Sequence, residues 1–399
     1  MHRPGQNTAL TSGTKGALAP GSRLPWVDHL RTLMILLVVN VHACVTYSHV
    51  GGWYVMSERE PSLAAKVPFI IWEAHLQSFF MGFLFFLAGY FAHGSLGRRG
   101  PAGFVRERLF RLGLPTLLYM LVIHPFILLG LNPWHSQFPP VVDFYRDFLR
   151  SGRFLGASGP LWFTFALALF CLALALWRAL RPSSLQLVAP PPPGTGGAPG
   201  AGKIWGFALS LGSISFLVRL VQPIGTNVLN MQLCFFAQYI AAFALGLRAA
   251  RRGWLLPLAS SAMARRAGWL ALVGGPLVLL ALMLAGAKDG VTAFAGGWHW
   301  QALGYAVWEQ FAGVGLSLGL LWLFSSKLDC DRPALRWMAD RSFAVYVLHA
   351  PVLVALMMLY RRLPQSPYLL ATLLTASGLA LSYALADLAR RVPGLRAIL

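Results

Sequence analysis

The chain is 399 residues long, 57% hydrophobic and only 12% charged, with a mean hydropathy of +0.60. Those values exclude a disordered protein and an ordinary cytosolic enzyme. The net charge of +20 would suggest a nucleic-acid partner in a soluble protein, but the basic residues sit at the ends of apolar runs, where they read as topology signals, and no nucleic acid is expected.

Residues 1–25 are rich in Gly, Pro, Ser and Thr and lack an apolar signal-peptide core, so they predict a flexible cytoplasmic tail. Residues 26–399 read as one transmembrane domain, an all-α polytopic bundle. Ten apolar runs fall near 30–48, 67–92, 112–131, 161–180, 204–222, 231–249, 267–286, 301–325, 342–360 and 367–389. An even number of crossings puts both termini on one side. Alternate loops hold 24 Lys+Arg on that side and 9 on the other, which predicts cytoplasmic termini and a multi-pass protein of the plasma (inner) membrane. The segment 188–202 (VAPPPPGTGGAPGAG) is a Pro/Gly linker between the fourth and fifth runs, and disorder is expected there. The outer loop 132–160 carries Trp134, His135, Tyr145 and Arg146, a set suited to covering an outer cavity.

The first run, DHLRTLMILLVVNVHACVTYSH, places Arg31 and His42 eleven residues apart. Eleven steps of 100° close to within 20° of three full turns, so both lie on one helix face, about 16.5 Å apart along the axis. His49 continues the stripe. Arg31 then sits at the cytoplasmic boundary, and His42 sits inside the membrane, where an imidazole faces protein or water and suits proton transfer. Before the third run, FVRERLFRLGLP puts Arg108 and Arg111 three residues apart, and guanidinium groups suit phosphate. Glu73 and Glu309 are carboxylates within apolar runs, either of which is placed to orient His42 or a substrate hydroxyl. Arg219, near the outer end of the fifth run, fits an anionic group or a snorkelling charge. Trp298-His299-Trp300 fits sugar stacking or an interfacial belt, the belt being the commoner cause. His2, His29, His75, His93, His124 and His135 suggest no role. The four cysteines have no CxxC pattern, and the histidines and carboxylates lack ligand spacing, so neither a disulfide framework nor a metal is expected.

Arg31 and His42 resemble the Arg-x10-His pattern of the membrane acyltransferase 3 family, and Arg108-Leu-Phe-Arg111 resembles its Arg-x-x-Arg pattern. FLFFLAGYF (83–91), GPLWFT (159–164) and YVLHAPVL (346–353) look like three further family segments, in order along the chain. Within the family the chain looks most like the glucan biosynthesis protein C branch, the periplasmic-glucan succinyltransferase type. It departs from that branch's pattern at Ala88, where a Ser is usual, and at Pro160, where the branch tends to have a His.

The resemblance implies transfer of an acyl group, acetyl or succinyl, from cytoplasmic acyl-CoA to a hydroxyl of an extracytoplasmic or lipid-linked carbohydrate. It implies His42 as catalytic base and Arg31, Arg108 and Arg111 on the donor's phosphates; of the two carboxylates Glu309 is the better candidate to assist, a packing pair with an Arg or Tyr being at least as common a reason for either. Glu73, Trp162, Arg219 and His349 are the candidates for acceptor contact, His349 reading as close to the cytoplasmic end of its helix. Direct transfer and an acyl-imidazole relay both remain open. A transporter or flippase for an anionic or lipid-linked substrate, and a membrane scaffold, are the competing readings. The oligomeric state is left open, because the small residues of GVGLSLG (313–319) serve inner packing or a dimer equally.

Overall fold

The computed structural model describes residues 24–131, 141–181 and 197–399. Most of the 1–25 tail, and 188–196 of the Pro/Gly linker, lie outside the described residues. Among the described residues the secondary structure is helical, with a single isolated bridge between Val228 and Met231. Nine helical runs are long and apolar enough to cross a membrane: α1 (Pro25–Ser48), α2 (Leu63–Leu131), α3 (Gly159–Leu180), α4 (Ala201–Arg219), α5 (Leu233–Arg252), α6 (Ala262–Ala285), α7 (Trp300–Lys327), α8 (Pro333–Tyr360) and α9 (Pro367–Ala389).

The nine runs accommodate the ten expected crossings because α2 holds two. Its 69 residues would span about 104 Å if straight, far beyond a hydrocarbon core of roughly 30 Å. The run turns at Gly100, whose φ of 67° is open to glycine, and Pro101 follows, unable to donate to the ladder behind it. The Ser95 hydroxyl donates to Glu107 at 3.3 Å, and Arg99 pairs with Glu107 at 3.2 Å. Residues 95 and 107 meet only if the chain has folded back, so α2 is a hairpin.

Prolines also shape the helices locally. Three π-helical turns, Leu109–Gly113, Tyr119–Ile123 and Leu270–Gly274, each end two residues before a proline, at Pro115, Pro125 and Pro276. Proline removes a donor and crowds the preceding carbonyls, and a widened turn absorbs both effects without breaking the helix.

Without a hydrophobic drive between helices in lipid, close packing relies on small residues. A Cβ on Gly89 would meet the Phe243 carbonyl oxygen at 2.2 Å, and one on Gly246 would meet that of Phe86 at 2.1 Å, so α2 and α5 touch backbone to backbone. The GVGLSLG segment does the same inside the bundle: Gly313 faces the Ser78 backbone, Gly315 faces Ala267 and Ala271, and Gly319 faces Gly268. Its small residues therefore serve inner packing.

α8 starts nine residues before the apolar run at 342–360, because Pro333 opens the helix and Arg341 is neutralised by Asp387 of α9 at 2.5 Å. That lead-in moves His349 from the end of a short helix to the middle of a 28-residue one. Between α2 and α3 the chain forms a further helix at Val141–Arg150.

Candidate functional site

α1 carries Arg31 and His42 on one face, as the periodicity requires. Arg31 is exposed, its side chain 58% accessible and 4.0 Å from Asp28, and His42 is half-buried. His49 leaves the stripe, because α1 ends at Ser48 and His49 takes a left-handed cap conformation with its ring 3.0 Å from the Ser57 hydroxyl.

Around His42 three rings have near-parallel planes. Trp53, from the loop after α1, stacks on the His42 imidazole at a centroid distance of 3.8 Å. His349 of α8 lies 5.4 Å from His42 and 6.2 Å from Trp53, with interplanar angles of 16°. Those three distances make an angle close to 90° at His42. With Trp53 covering the His42 face, His349 must meet the His42 edge. His349 is fully buried, and its Nδ1 lies 2.7 Å from the Tyr346 carbonyl oxygen. The Tyr346 hydroxyl in turn donates to the Pro160 carbonyl, tying the GPLWFT segment to α8.

Beyond Trp53 lies a second polar cluster. The Tyr54 hydroxyl is 3.0 Å from the Tyr119 hydroxyl and 2.7 Å from His124 Nδ1. Burial pushes the Tyr54 hydroxyl up, which keeps it protonated and able to donate. Gly159 closes this corner: its φ is +49°, and a Cβ there would lie 2.5 Å from the Tyr54 hydroxyl oxygen. Asn230 donates to the Gly159 carbonyl at 2.8 Å and to the Ser158 hydroxyl at 3.1 Å, holding the turn in place.

At the other end of α1, Arg31 lies 4.0 Å from Asp28 and within reach of the charges of Arg108 and Arg111. Arg108 packs over Phe104 at 5.1 Å, and its Nε is buried with no hydrogen-bond partner. Arg111 stands in the widened turn Leu109–Gly113, so it is displaced from the regular i, i+3 face and largely exposed, 4.0 Å from Glu107.

The remaining candidates have other neighbours. Glu73 accepts a 2.8 Å hydrogen bond from the Ser48 hydroxyl, joining α1 to α2. Glu309 and Arg219 pair with each other at 2.6 Å with both side chains 0% exposed. Gln310 donates to the same Glu309 oxygen at 3.0 Å, and the Arg219 guanidinium lies over the rings of Phe235 and Tyr305 at 5.2 and 5.4 Å. The hydrogen bonds of Glu309 thus run to Arg219 and Gln310. Trp162 stands at the start of the α3 helix against Tyr239 (5.6 Å) and Phe236 (6.5 Å), in the same aromatic layer as Phe235. Trp298 and Trp300 are exposed at the end of α7, as an interfacial belt requires.

Trp53, Tyr54, Tyr119 and His124 were not marked by the sequence. The available signal was an aromatic pair directly after the Gly51-Gly52 turn in the loop that leaves the His42 helix. Among the described residues no group of three His, Cys, Asp or Glu side chains is arranged to hold a metal.

The arrangement offers an accessible imidazole, aromatic rings and hydroxyls at one level, and Arg31, within reach of the charges of Arg108 and Arg111, about 16.5 Å away along the same helix. The acyltransferase domain family matches residues 24–387 of the chain. No curated protein and no solved structure matches it.

Proposed function

The chain belongs to the membrane acyltransferase 3 family, and on that premise we propose that it is an O-acyltransferase of the plasma membrane. It moves an acetyl or succinyl group from cytoplasmic acyl-CoA to a hydroxyl of an extracytoplasmic or lipid-linked carbohydrate. The observation that carries this reading is the single face of α1, with an accessible Arg31 beside Arg108 at one level and an accessible His42 about 16.5 Å above it. A polyanionic donor needs cations at the mouth of the site, and its thioester must reach a base deeper inside.

In this reading Arg31, Arg108 and Arg111 hold the donor's phosphates, and the bare Nε of Arg108 is one donor awaiting an anion. His42 takes the proton of the acceptor hydroxyl as its oxygen attacks the thioester carbonyl. The C–O bond forms, the C–S bond breaks, and the thiolate leaves with the proton carried by the imidazolium. Trp53, Tyr54 and Tyr119 give the acceptor an aromatic face and hydroxyl partners. The likeness to the glucan succinyltransferase branch makes succinyl-CoA the first donor to try.

The test is to incubate the purified protein with labelled acetyl-CoA or succinyl-CoA and envelope glycans. Label is expected in the glycan fraction with one donor. His42→Ala is expected to lower transfer by about 10²–10⁴-fold while the melting temperature stays at the wild-type value. Full transfer by that variant removes the base from the scheme. Translocation of a glycan without consumption of acyl-CoA favours the transporter reading.

A further inference from the structure

We propose that His349 is a positioning residue for His42, its bare Nε2 accepting a hydrogen bond from the edge of the His42 ring; this rests on the reading of His42 as base. The tautomer of His349 follows from its partner. A carbonyl oxygen only accepts, so the nitrogen 2.7 Å from the Tyr346 carbonyl carries the proton. Nε2 is then an unprotonated lone pair, and it is buried with no hydrogen-bond partner. A buried acceptor left bare costs about 1–3 kcal/mol. The ring that carries it lies 5.4 Å, centroid to centroid, from a second imidazole whose plane is within 16° of its own.

A general base on an imidazole needs a third group to fix which nitrogen is bare and to hold the second N–H once the ring is charged. Carboxylates usually do this. The two candidate carboxylates are engaged elsewhere: Glu73 by Ser48, and Glu309 by Arg219 and Gln310. The Tyr346 hydroxyl is committed to Pro160. Among the described residues His42 makes no ring hydrogen bond of its own, and the His349 ring, with its bare Nε2, is the imidazole next to it. A neutral acceptor also avoids burying a second charge in the membrane. When His42 takes the acceptor's proton at one nitrogen, the N–H at its other nitrogen stays on the ring and is held by His349. No proton leaves the pair until the departing thiolate collects it from His42.

Two variants of the full-length protein in detergent test this, with the acyl-CoA that the wild type uses. His349→Leu removes the acceptor. It is expected to lower kcat roughly tenfold or more, with KM for acyl-CoA unchanged. His349→Gln offers an amide oxygen at the same reach and is expected to recover most of kcat. The ring 15N signals that disappear on His349→Gln are expected to belong to an imidazole protonated at Nδ1 and bare at Nε2. If His349→Leu only reduces the folded fraction, with kcat per folded molecule retained, the residue merely packs and the proposal is overturned. It is equally overturned if His349→Gln folds but is as slow as His349→Leu. If His42→Ala itself transfers at the wild-type rate, the base reading falls and this one with it, a result told apart by that variant alone.

Discussion

The Arg219–Glu309 pair and the His42 cluster, both inside the bundle, solve the same problem in opposite ways. The Arg219–Glu309 pair carries two full charges, but each faces the other at 2.6 Å, both are sealed from solvent, and aromatic rings lie under the cation. The His42 cluster carries no fixed charge, is half-accessible, and keeps a bare acceptor at its centre on His349. Bare polar atoms do not tell them apart, since Arg219 Nε, Arg219 Nη1 and Glu309 Oε1 also lack partners; within a membrane a sealed ion pair fixes helix positions, whereas an accessible imidazole has a reason to meet a substrate. The difference separates the frame from the site more sharply than residue type does, since Glu309 and His42 look equally functional as isolated letters.

The comparison breaks most visibly at Glu309. Its replacement by Leu leaves the Arg219 charge buried and unpaired, a loss of about 3–5 kcal/mol. The variant is expected to lose most of its folded yield in detergent, measured by size-exclusion recovery and thermal melting. Replacing both partners, Arg219→Met with Glu309→Leu, removes the orphaned charge and is expected to restore folding and acyl transfer together. A double variant that folds as the wild type does but transfers nothing would move Glu309 from the frame to the site.

At the cationic end the effect is smaller and of a different kind. Each charge-assisted hydrogen bond to a phosphate contributes about 1.5–3 kcal/mol. Arg31→Ala or Arg108→Ala is therefore expected to raise the KM for acyl-CoA by roughly ten- to a hundredfold, with kcat retained at saturating donor. Titration calorimetry with free coenzyme A checks the same loss without turnover. Arg111→Ala is expected to cost less, because Arg111 is the most exposed of the three and already lies near Glu107. A uniform fall in kcat across the three would place them nearer the reacting atoms than their position allows.

The helical period made α1 legible. Arg31 and His42 share a face because the helix runs unbroken from Pro25 to Ser48, so spacing converts directly into geometry. The all-helical bundle and the two crossings within α2 were legible from apolar run length, which put separate runs at 67–92 and 112–131. What failed to show was anything decided by a long-range meeting. Arg219 and Glu309 lie 90 residues apart, and no period links them. His349 looked terminal because its helix begins in a charged stretch whose charge is cancelled only by Asp387 in the next helix. Trp53 and Tyr54 sit in a loop, where spacing carries no direction. His124 gained its place through two successive widened turns before Pro115 and Pro125.

The smallest expected effect shows that pairing alone does not define the frame. Glu60 and Lys66 pair by a direct hydrogen bond at the start of α2, where Glu60 is exposed. The ammonium holds the Glu60 carboxyl below its ordinary range. A depressed carboxylate contributes stability that is complete above its unfolded value of about 4.3 and disappears as pH falls through the folded value. Water screens this pair as it cannot screen Arg219 and Glu309. Lys66→Ala is expected to return the Glu60 titration to the ordinary carboxylate range, seen by carboxyl NMR, with no resolvable change in melting temperature at neutral pH. A marked loss of stability there would mean that exposed contacts hold the helix hairpin as firmly as buried ones. The distinction between a sealed frame and an open site would then rest on burial less than the Arg219–Glu309 pair suggests.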